Sequence, residues 1–181
     1  MRSFREDLDR AVAFHGHLCS GQCLGVRMAH IGLRLLGLDN ERDCKKIMVF
    51  AEGNRCPTDS IMITTGSSPG KRTFYFLDMG KTAATFVNLE TGKAVRVVRK
   101  NHIHPADGEN LTDFYENLPE EGWLEAKEVT VDLSVGDLPG PPVSIVTCES
   151  CGEEVSDERH VIVGGKILCK ACAGEGYYRK I

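Results

Sequence analysis

Two pairs of cysteines near the C-terminus constrain the fold of this chain more than any other feature. Each pair has the form Cys-x2-Cys, and the four residues are Cys148, Cys151, Cys169 and Cys172. This spacing is typical of a structural zinc site with four thiolate ligands. The segment from Cys148 to the end of the sequence is too short to build a hydrophobic core. Zinc must therefore supply much of its folding free energy. We predict a structural zinc in a small zinc-ribbon or treble-clef-like domain.

A proline-rich stretch separates this domain from the rest of the chain. Residues 137–142 read Asp-Leu-Pro-Gly-Pro-Pro, a composition typical of semi-rigid spacers. We predict a core domain over residues 1–136, a linker over 137–147 and a zinc-binding domain over 148–181. Zinc ribbons often bind nucleic acid, but this one has six acidic and five basic residues and no basic stripe. We therefore expect no nucleic-acid partner.

Charge and cysteine usage narrow the cellular context. The formal net charge is −4, which gives no general attraction to an anionic membrane surface. No apolar run approaches the roughly 18 residues that a spanning helix needs. The charged N-terminus does not resemble an export signal. We expect a cytoplasmic protein without membrane association, whose eight cysteines are thiols and metal ligands rather than disulfides.

A second group of metal-binding residue types lies in Phe14-His15-Gly16-His17-Leu18-Cys19-Ser20-Gly21. Imidazole and thiolate are preferred ligands of zinc and similar metals. An extended conformation would put His15, His17 and Cys19 on one side, whereas a helix would align only His15 with Cys19. The two glycines favour an irregular connection and hence the first geometry. The alternative is one packed histidine, one exposed histidine and an inert cysteine.

This group lies between two predicted helices. Ser3 and Glu6 form a capping box that begins a helix over residues 4–14, and a longer helix follows from Gly21 to about Gly37. On the longer helix, small residues share a face that would let another element approach closely: Gly25, Ala29 and Gly32. Cys19 would lie just outside its N-terminus, where free amides favour thiolate. Cys23 is better explained as a small core residue.

Cys56 repeats this arrangement further along the chain. A buried strand is predicted over residues 46–51, and a helix begins near Cys56 because proline is favoured at the first helical position. Asp59 falls in the first turn, where an acidic side chain suits the helix dipole. Two cysteines at helix N-termini, with histidines nearby, are stronger metal or nucleophile candidates than either alone.

The remaining patterns predict an α+β fold with N-terminal helices packed on an antiparallel sheet. Residues 66–71 resemble a phosphate loop but lack its spacing, so we interpret them as a tight connection. Three strands are expected to form an antiparallel meander: residues 73–77, 83–89 and 94–98. His102 and His104 are assigned to a polar loop, although a ligand pair remains the alternative. Beyond them we predict short helices over 112–117 and 120–127 and an edge strand over 129–133.

Several motifs together resemble one family. They are Phe14-His15-Gly16-His17-x-Cys19-x-Gly21, Gly25-Val26-Arg27-Met28-Ala29, Cys56-x-x-Asp59-Ser60-Ile61, Thr65-Gly66-x-x-x-Gly70-Lys71 and Asp78-x-Gly80-Lys81-x-Ala83. In this order they resemble the E subunit of formylmethanofuran dehydrogenase and its stand-alone relatives. The resemblance implies an α+β core, often a homodimer, and a core metal, with zinc the expected ion. In the multisubunit enzyme the molybdenum or tungsten pterin belongs to other subunits, so the resemblance does not make this chain a dehydrogenase.

The resemblance also implies site residues. His17, Cys19 and Cys56 are the implied metal ligands, His15 lies next to them, and Asp59 could be a ligand, could orient a ligand or could be only a helix-start acid. The candidate catalytic residues are Cys19, Cys56, Asp59 and His15. Two departures stand out: Ser20 replaces a usual proline, and Ser67 replaces a common cysteine. The second change weakens a dithiol redox hypothesis more than a metal-site hypothesis.

The leading hypothesis is a metal-binding protein with an open His/Cys site in the core and structural zinc in the tail. Three protein ligands would leave a coordination position for water or substrate. A catalytic role, if the site has one, is expected in one-carbon or redox metabolism. The sequence does not identify the small-molecule substrate. The alternative is a non-enzymatic accessory or docking subunit of a molybdenum or tungsten redox complex. A zinc-ribbon nucleic-acid binder is a distant third hypothesis.

Overall fold

The chain divides into two compact units, Met1–Val131 and Asp132–Ile181. The structure is a computed structural model that describes residues 1–40 and 42–178, so the end of the predicted zinc-binding domain, residues 179–181, lies outside the described part. None of the helices within the described part combines the length and apolarity that crossing a membrane requires.

The described part of the first unit contains four α-helices. They are α1, Phe4–His15; α2, Ser20–Leu35; α3, Cys56–Thr65; and α4, Leu111–Asn117. The predicted capping box begins α1, because the Ser3 side chain accepts from the Glu6 amide and Glu6 bonds back to Ser3. Pro57 lies in the first turn of α3. The predicted helices over 4–14, 21–37 and 112–117 and the helix beginning near Cys56 are therefore confirmed, with small shifts at their ends.

A five-stranded sheet lies beside these helices. Its strands are β1, Ile47–Ala51; β2, Phe74–Phe76; β3, Ala83–Asn88; β4, Ala94–Arg99; and β5, Leu124–Val129. The spatial order is β2-β1-β3-β4-β5, and only the β1–β2 pair is parallel. The predicted α+β class with an antiparallel-rich sheet is confirmed. The three-strand meander is wrong, because β1 lies between β2 and β3 and α3 provides the crossover that a parallel pair needs.

The segment before residue 130 is also corrected. The sequence predicts a helix over 120–127 and an edge strand over 129–133, but the edge strand is Leu124–Val129, paired antiparallel with β4. Trp123 and Leu124 are buried, whereas Lys127 is exposed and forms an ion pair with Glu125. Pairing with the free edge of β4 therefore outweighs the local helix preference of the charged residues.

The second helix is the centre of the packing. Gly32 of α2 lies against Phe86 of β3, and a Cβ added there would be 2.4 Å from the ring. At Gly25 an added Cβ would lie 2.4 Å from the Pro57 carbonyl oxygen and 2.4 Å from Ser60 Oγ. The predicted small-residue face is confirmed. It permits close approach of α3 on one side and the sheet on the other.

A buried polar network joins α1 to α2. Asp7 is fully buried, and its carboxylate accepts bonds from Arg2 at 2.6 Å and Asn40 at 2.6 Å and contacts His30 Nε2 at 2.7 Å. Burial alone would raise the pKa of Asp7, but the bonds from His30 and Arg2 bring it below the ordinary value. The network fixes α1, and therefore His15 at its end, relative to α2.

The described part of the second unit contains two small hairpins and two short helical segments, Val135–Asp137 and Ala171–Glu175. Strands β6, Ile145–Thr147, and β7, Glu154–Ser156, pair antiparallel, and so do β8, Val161–Val163, and β9, Lys166–Leu168. Most of its apolar side chains are partly or fully exposed, and Cys148 is the buried exception among the core residues. The described part of this unit has no apolar core of the kind seen in the first unit, as expected for a fold that a metal stabilises.

Candidate metal centres

The four tail cysteines form a compact cluster. The sulfur atoms of Cys148, Cys151, Cys169 and Cys172 all lie within 4.8 Å of one another. The Cys172 amide donates to Cys169 Sγ at 3.4 Å, and backbone hydrogen bonds from Cys169 and Cys151 lower the pKa of the Cys148 thiol to about 6. Amide bonds to sulfur favour thiolate, the form that binds metal. The predicted four-cysteine cluster is confirmed, and its donor set fits structural zinc.

A second group of donors lies where α1 ends and α2 begins. The ligand atoms of His15, His17 and Cys19 lie within 4.8 Å of one another. His15 is the last residue of α1, Gly16 turns the chain in the left-handed region at φ 96°, and Cys19 is the extended N-cap of α2. This local geometry is a turn rather than a strand or a helix. It brings the two imidazole rings to 4.6 Å between centroids.

Cys56 joins this group from the start of α3. Gly21 provides the necessary space, since a Cβ there would lie 2.7 Å from Cys56 Cβ and 3.5 Å from Cys19 Sγ. Burial, and then a hydrogen bond with Cys19, raises the pKa of the Cys56 thiol. The close crossing of α2 and α3 therefore places two thiols from distant parts of the sequence side by side.

Asp59 orients His15. His15 Nδ1 and Asp59 Oδ2 are 2.8 Å apart, so Nδ1–H donates to the carboxylate and Nε2 carries the free lone pair. His15 Nε2 is buried and has no hydrogen-bond partner among the described residues. A carboxylate behind an imidazole whose other nitrogen is unpartnered is the arrangement found at metal-bound histidines.

A cavity of about 520 Å³ opens beside the two thiols. We call it the cysteine–arginine cavity. The polar and aromatic side chains that line it are Cys19, Ser20, Arg55, Cys56, Thr82, Arg99, His102, His104, Tyr115 and Trp123. A separate depression borders the other side of Cys56 and is lined by His15, Asp59 and Phe76. Both thiols therefore border space that a small molecule can occupy.

The comparisons with known proteins identify the family. A family model described as "FmdE, Molybdenum formylmethanofuran dehydrogenase operon" matches residues 14–130, well over half of the chain. The chain belongs to the FmdE family. The resemblance to the E subunit of formylmethanofuran dehydrogenase is thereby confirmed. A second model, described as a prokaryotic dksA/traR C4-type zinc finger, matches residues 141–178 of this FmdE-family chain.

Two relatives resemble the chain over most of its length. A protein of Archaeoglobus fulgidus described as a "Probable S-adenosyl-L-methionine-binding protein" is 32% identical over 199 residues, which cover 93% of this chain and 52% of that protein. The chain thus spans about half the length of this curated relative. A crystal structure of a tungsten formylmethanofuran dehydrogenase FmdE-like protein from Syntrophus aciditrophicus is 22% identical, with a TM-score of 0.58 over 98% of this chain and 96% of that chain. It shares the FmdE fold.

Other sequence candidates fall into simpler roles in this FmdE-family chain. Lys71 Nζ donates to the Gly66 carbonyl at 2.9 Å, so residues 66–71 form the predicted tight connection. Ser67 is buried and bonds Thr65 Oγ1 at 2.7 Å. It lies beyond the C-terminus of α3, about 15 Å from Cys56 by the rise of a ten-residue helix. A thiol at position 67 would not reach Cys56.

The sequence did not single out Arg99 or the cavity. His102 and His104 lie in a loop, as predicted, with rings stacked at 6.0 Å. Both border the cavity, and neither belongs to the two donor groups found among the described residues. One signal was available: Arg99 directly follows Val97 and Val98 as the last residue of β4. An arginine at a half-buried strand position favours a specific role for its charge.

Proposed function

We propose that this FmdE-family chain binds a divalent transition-metal ion, with zinc the expected ion, in its core domain through His15, His17 and Cys19. The observation that carries the proposal is the buried, unpartnered Nε2 of His15, whose other nitrogen bonds Asp59. Leaving a buried acceptor unsatisfied costs about 1–3 kcal/mol, which a bound cation would offset. The expectation from the family resemblance placed Cys56 among the ligands and His15 beside them. The proximity of three donors supports His15 as a ligand.

Cys56 then has a distinct role beside the ion. It lies beside Cys19 across Gly21 and borders the cysteine–arginine cavity. It would be a fourth donor to a bound ion, on the side of the site that faces the cavity. Asp59 holds the imidazole of His15 in the tautomer that exposes Nε2. When bound, the metal would supply Lewis-acid activation of a ligand or of water.

The function that follows is recognition of a small molecule at a metal centre, with the tail zinc purely structural. A cavity of about 520 Å³ is within the range of ordinary small-molecule sites. The family is named for a molybdenum formylmethanofuran dehydrogenase operon, which supports a context in one-carbon or redox metabolism. Chemistry on the bound molecule is part of this proposal. The candidate residues are Cys19 and Cys56, which line the cavity, and His15 and Asp59, which line the neighbouring depression that Cys56 also borders.

Metal analysis of the purified full chain tests the proposal. We expect two metal ions per chain in the wild type, one ion in Cys19→Ser, and two ions in Cys56→Ser. A control variant, Cys44→Ser, changes a cysteine outside both donor groups and is expected to keep two ions. One ion per chain in the wild type, lost only when tail cysteines are replaced, would rule out the core metal.

The second candidate function is an accessory protein that docks on a redox complex. Half-exposed apolar side chains near the core site favour it. Phe14 and Leu18 flank the histidines in sequence, and Phe76 lies in the depression beside His15, with Leu77 and Met79 following it along the chain. A homodimer would cover the same kind of surface. Purification from native lysate separates these outcomes: a stable partner that carries a pterin or iron–sulfur cofactor supports docking. A homodimer with bound small molecule supports the metal-centred function.

S-adenosylmethionine is a specific candidate ligand because of the relative from Archaeoglobus fulgidus. Its carboxylate could meet Arg99, but its ammonium and sulfonium groups are both positive. The residues that line the cysteine–arginine cavity include no carboxylate to meet them. We therefore rank this ligand below a small anion.

A further inference from the structure

The cysteine–arginine cavity contains a positive charge that no described residue balances. Arg99 lies at the end of β4 and lines the cavity. Its guanidinium has no hydrogen-bond or ion-pair partner within residues 1–40 and 42–178, in contrast to Arg96 on the same strand, which bonds both oxygens of Glu52 at 2.5 and 2.7 Å. Burial lowers the pKa of Arg99, yet the group stays charged at neutral pH. An unpaired, partly buried guanidinium is costly unless an anion meets it.

The groups around Arg99 in this cavity add partial positive charge or hydrogen-bond donors. The N-termini of α2 and α3 both begin at the cavity, and neither Cys19 nor Arg55 caps its helix with a side-chain bond. Uncapped amides carry partial positive charge toward the space in front of them. His102, His104 and the exposed Arg55 add donors, and no acidic side chain is among the described lining residues. In a chain of net charge −4, this positive cavity is a local feature.

Aromatic and aliphatic side chains form another part of the lining, and hydrogen bonds hold the two aromatic ones in place. Tyr115 donates its hydroxyl to the Ile103 carbonyl at 2.8 Å, which anchors the loop that contains His102 and His104. Trp123 donates to the Pro119 carbonyl at 2.6 Å. These side chains give the cavity apolar walls beside its charged groups, the usual composition of a site for an organic ligand.

We propose that the cysteine–arginine cavity binds a small organic anion whose carboxylate or other oxyanion group is held by Arg99. Guanidinium donates two parallel bonds to such groups. The remainder of the molecule lies against Trp123 and Leu24, and its opposite end reaches Cys19 and Cys56. The assignment rests on the proposed function for its position beside the metal, but the contact with Arg99 does not require the ion.

Titration of the full chain with sulfate and with succinate tests the proposal. Trp123 is the single tryptophan of the chain and lines the cavity, so its fluorescence reports occupancy. We expect saturable binding of either anion in the millimolar range or tighter. Arg99→Gln should weaken it about tenfold or more, since bonds to a charged group are lost. The matched control Arg10→Gln, at an exposed position of α1, should leave the affinity unchanged.

Thermal unfolding supplies an independent readout that a structural role for Arg99 would not produce. We expect succinate to raise the midpoint of the wild type and of Arg10→Gln but not of Arg99→Gln. Without anion, Arg99→Gln should unfold at the wild-type temperature or above it, because a poorly solvated charge is removed. Loss of stability in anion-free buffer, or equal anion response in all three proteins, would overturn the proposal.

Two further measurements separate this proposal from the proposed function. The first is the metal content of the same samples. If the protein contains only the tail metal and still binds anions through Arg99, the anion site is supported and the core metal site is ruled out. If the protein contains two metal ions but shows no anion binding that depends on Arg99, the core metal site is supported and the anion site is ruled out. S-adenosylmethionine, which is a net cation, is expected not to displace succinate. Displacement at concentrations below those of succinate would overturn the anion assignment.

Discussion

At the scale of residues, the His15–Asp59 contact decides how the core site is interpreted. The carboxylate lies 2.8 Å from Nδ1, so it sets both the tautomer and the orientation of the ring. His15 Nε2 is buried and has no hydrogen-bond partner among the described residues. The sequence places His15 at the end of an apolar helix face and leaves its role open. The contact itself depends on a residue 44 positions away.

Replacement of Asp59 by asparagine tests this orienting role. Asp59→Asn retains the shape of the side chain but removes the charge that supports His15, so we expect the affinity of the core site for zinc to fall about 10–100-fold. Competition with a chromophoric chelator measures the change. Asp9→Asn, at an exposed position of α1, is the control. An unchanged affinity in Asp59→Asn would show that Asp59 does not support the metal.

The ion pair between Glu52 and Arg96 makes a second prediction at this scale. Glu52 is 6% exposed and follows β1 on the path to Cys56. Hydrogen bonds from Arg96 lower the pKa of Glu52 from its usual 4.5. Arg96→Gln should reduce the free energy of unfolding at pH 7 by about 2 kcal/mol, since a charged bond to a buried carboxylate is lost.

The stabilisation by the Glu52–Arg96 pair should depend on pH in a defined direction. A lowered folded-state pKa means that the pair stabilises the fold above about pH 4.5 and that this stabilisation is lost as pH falls through the lower folded value. The difference between wild type and Arg96→Gln should therefore shrink below that pH. Urea unfolding at several pH values measures it, with Arg10→Gln as the control. A difference that is constant with pH would contradict the assignment.

At the scale of elements, the crossing of α2 and α3 creates the core site. Gly21 and Gly25 lie one turn apart on α2 and face Cys56, Pro57 and Ser60. Because no side chain separates the helices there, their N-termini converge and the two thiols meet. The sequence predicts the small face of α2 and both helix starts, since capping and helical spacing are local properties. It does not show which element uses that face.

Gly25→Ala tests the crossing. The added Cβ would lie 2.4 Å from the Pro57 carbonyl oxygen, a backbone atom that cannot move without its helix. We expect the free energy of unfolding to fall by about 1–3 kcal/mol, together with weaker zinc binding in the core. Gly70→Ala is the control, because nothing lies within 4 Å of its added Cβ. A variant as stable as Gly70→Ala would contradict the close packing.

The sheet shows where prediction from sequence fails. The turn residues between β2 and β3 are typical of a hairpin and predict a meander, yet β2 pairs parallel with β1. The charged residues of β5 favour a helix locally, yet they form a strand beside β4. Both errors concern partners distant in sequence, and pairing decides strand identity there. The sequence did not predict the cysteine–arginine cavity for the same reason. Its lining residues come from segments that are distant in sequence, and only the folded structure shows that Arg99 lies among them without an acidic partner.

At the scale of the whole molecule, the two units differ in what stabilises them. The first unit has a core of buried apolar side chains that include Phe86, Met28 and Trp123. The second has short hairpins and a cluster of four thiols. The four-cysteine site was readable from sequence alone, since its spacing encodes its chemistry. The core donors were readable in part, because His15, His17 and Cys19 lie in one short segment, whereas Cys56 and Asp59 join them from a distant one.

Removal of the tail zinc should therefore unfold one unit and leave the other. In Cys169→Ser we expect backbone amides of β6 to β9 to exchange with solvent rapidly, while those of β1, β3 and β4 remain protected. Hydrogen exchange measured by mass spectrometry reports both units in one experiment. Cys44→Ser serves as the control. Protection that persists in β6 to β9 would show that the tail folds without its metal.

We propose that the core domain binds a metal ion of its own. Anomalous diffraction from crystals of the full chain, recorded across the absorption edge of the metal found by elemental analysis, tests it most directly. We predict two anomalous peaks per chain, one among the four tail cysteines and one bounded by His15, His17 and Cys19 with Cys56 alongside. A single peak, confined to the tail cysteines in protein purified without chelators, would contradict the claim.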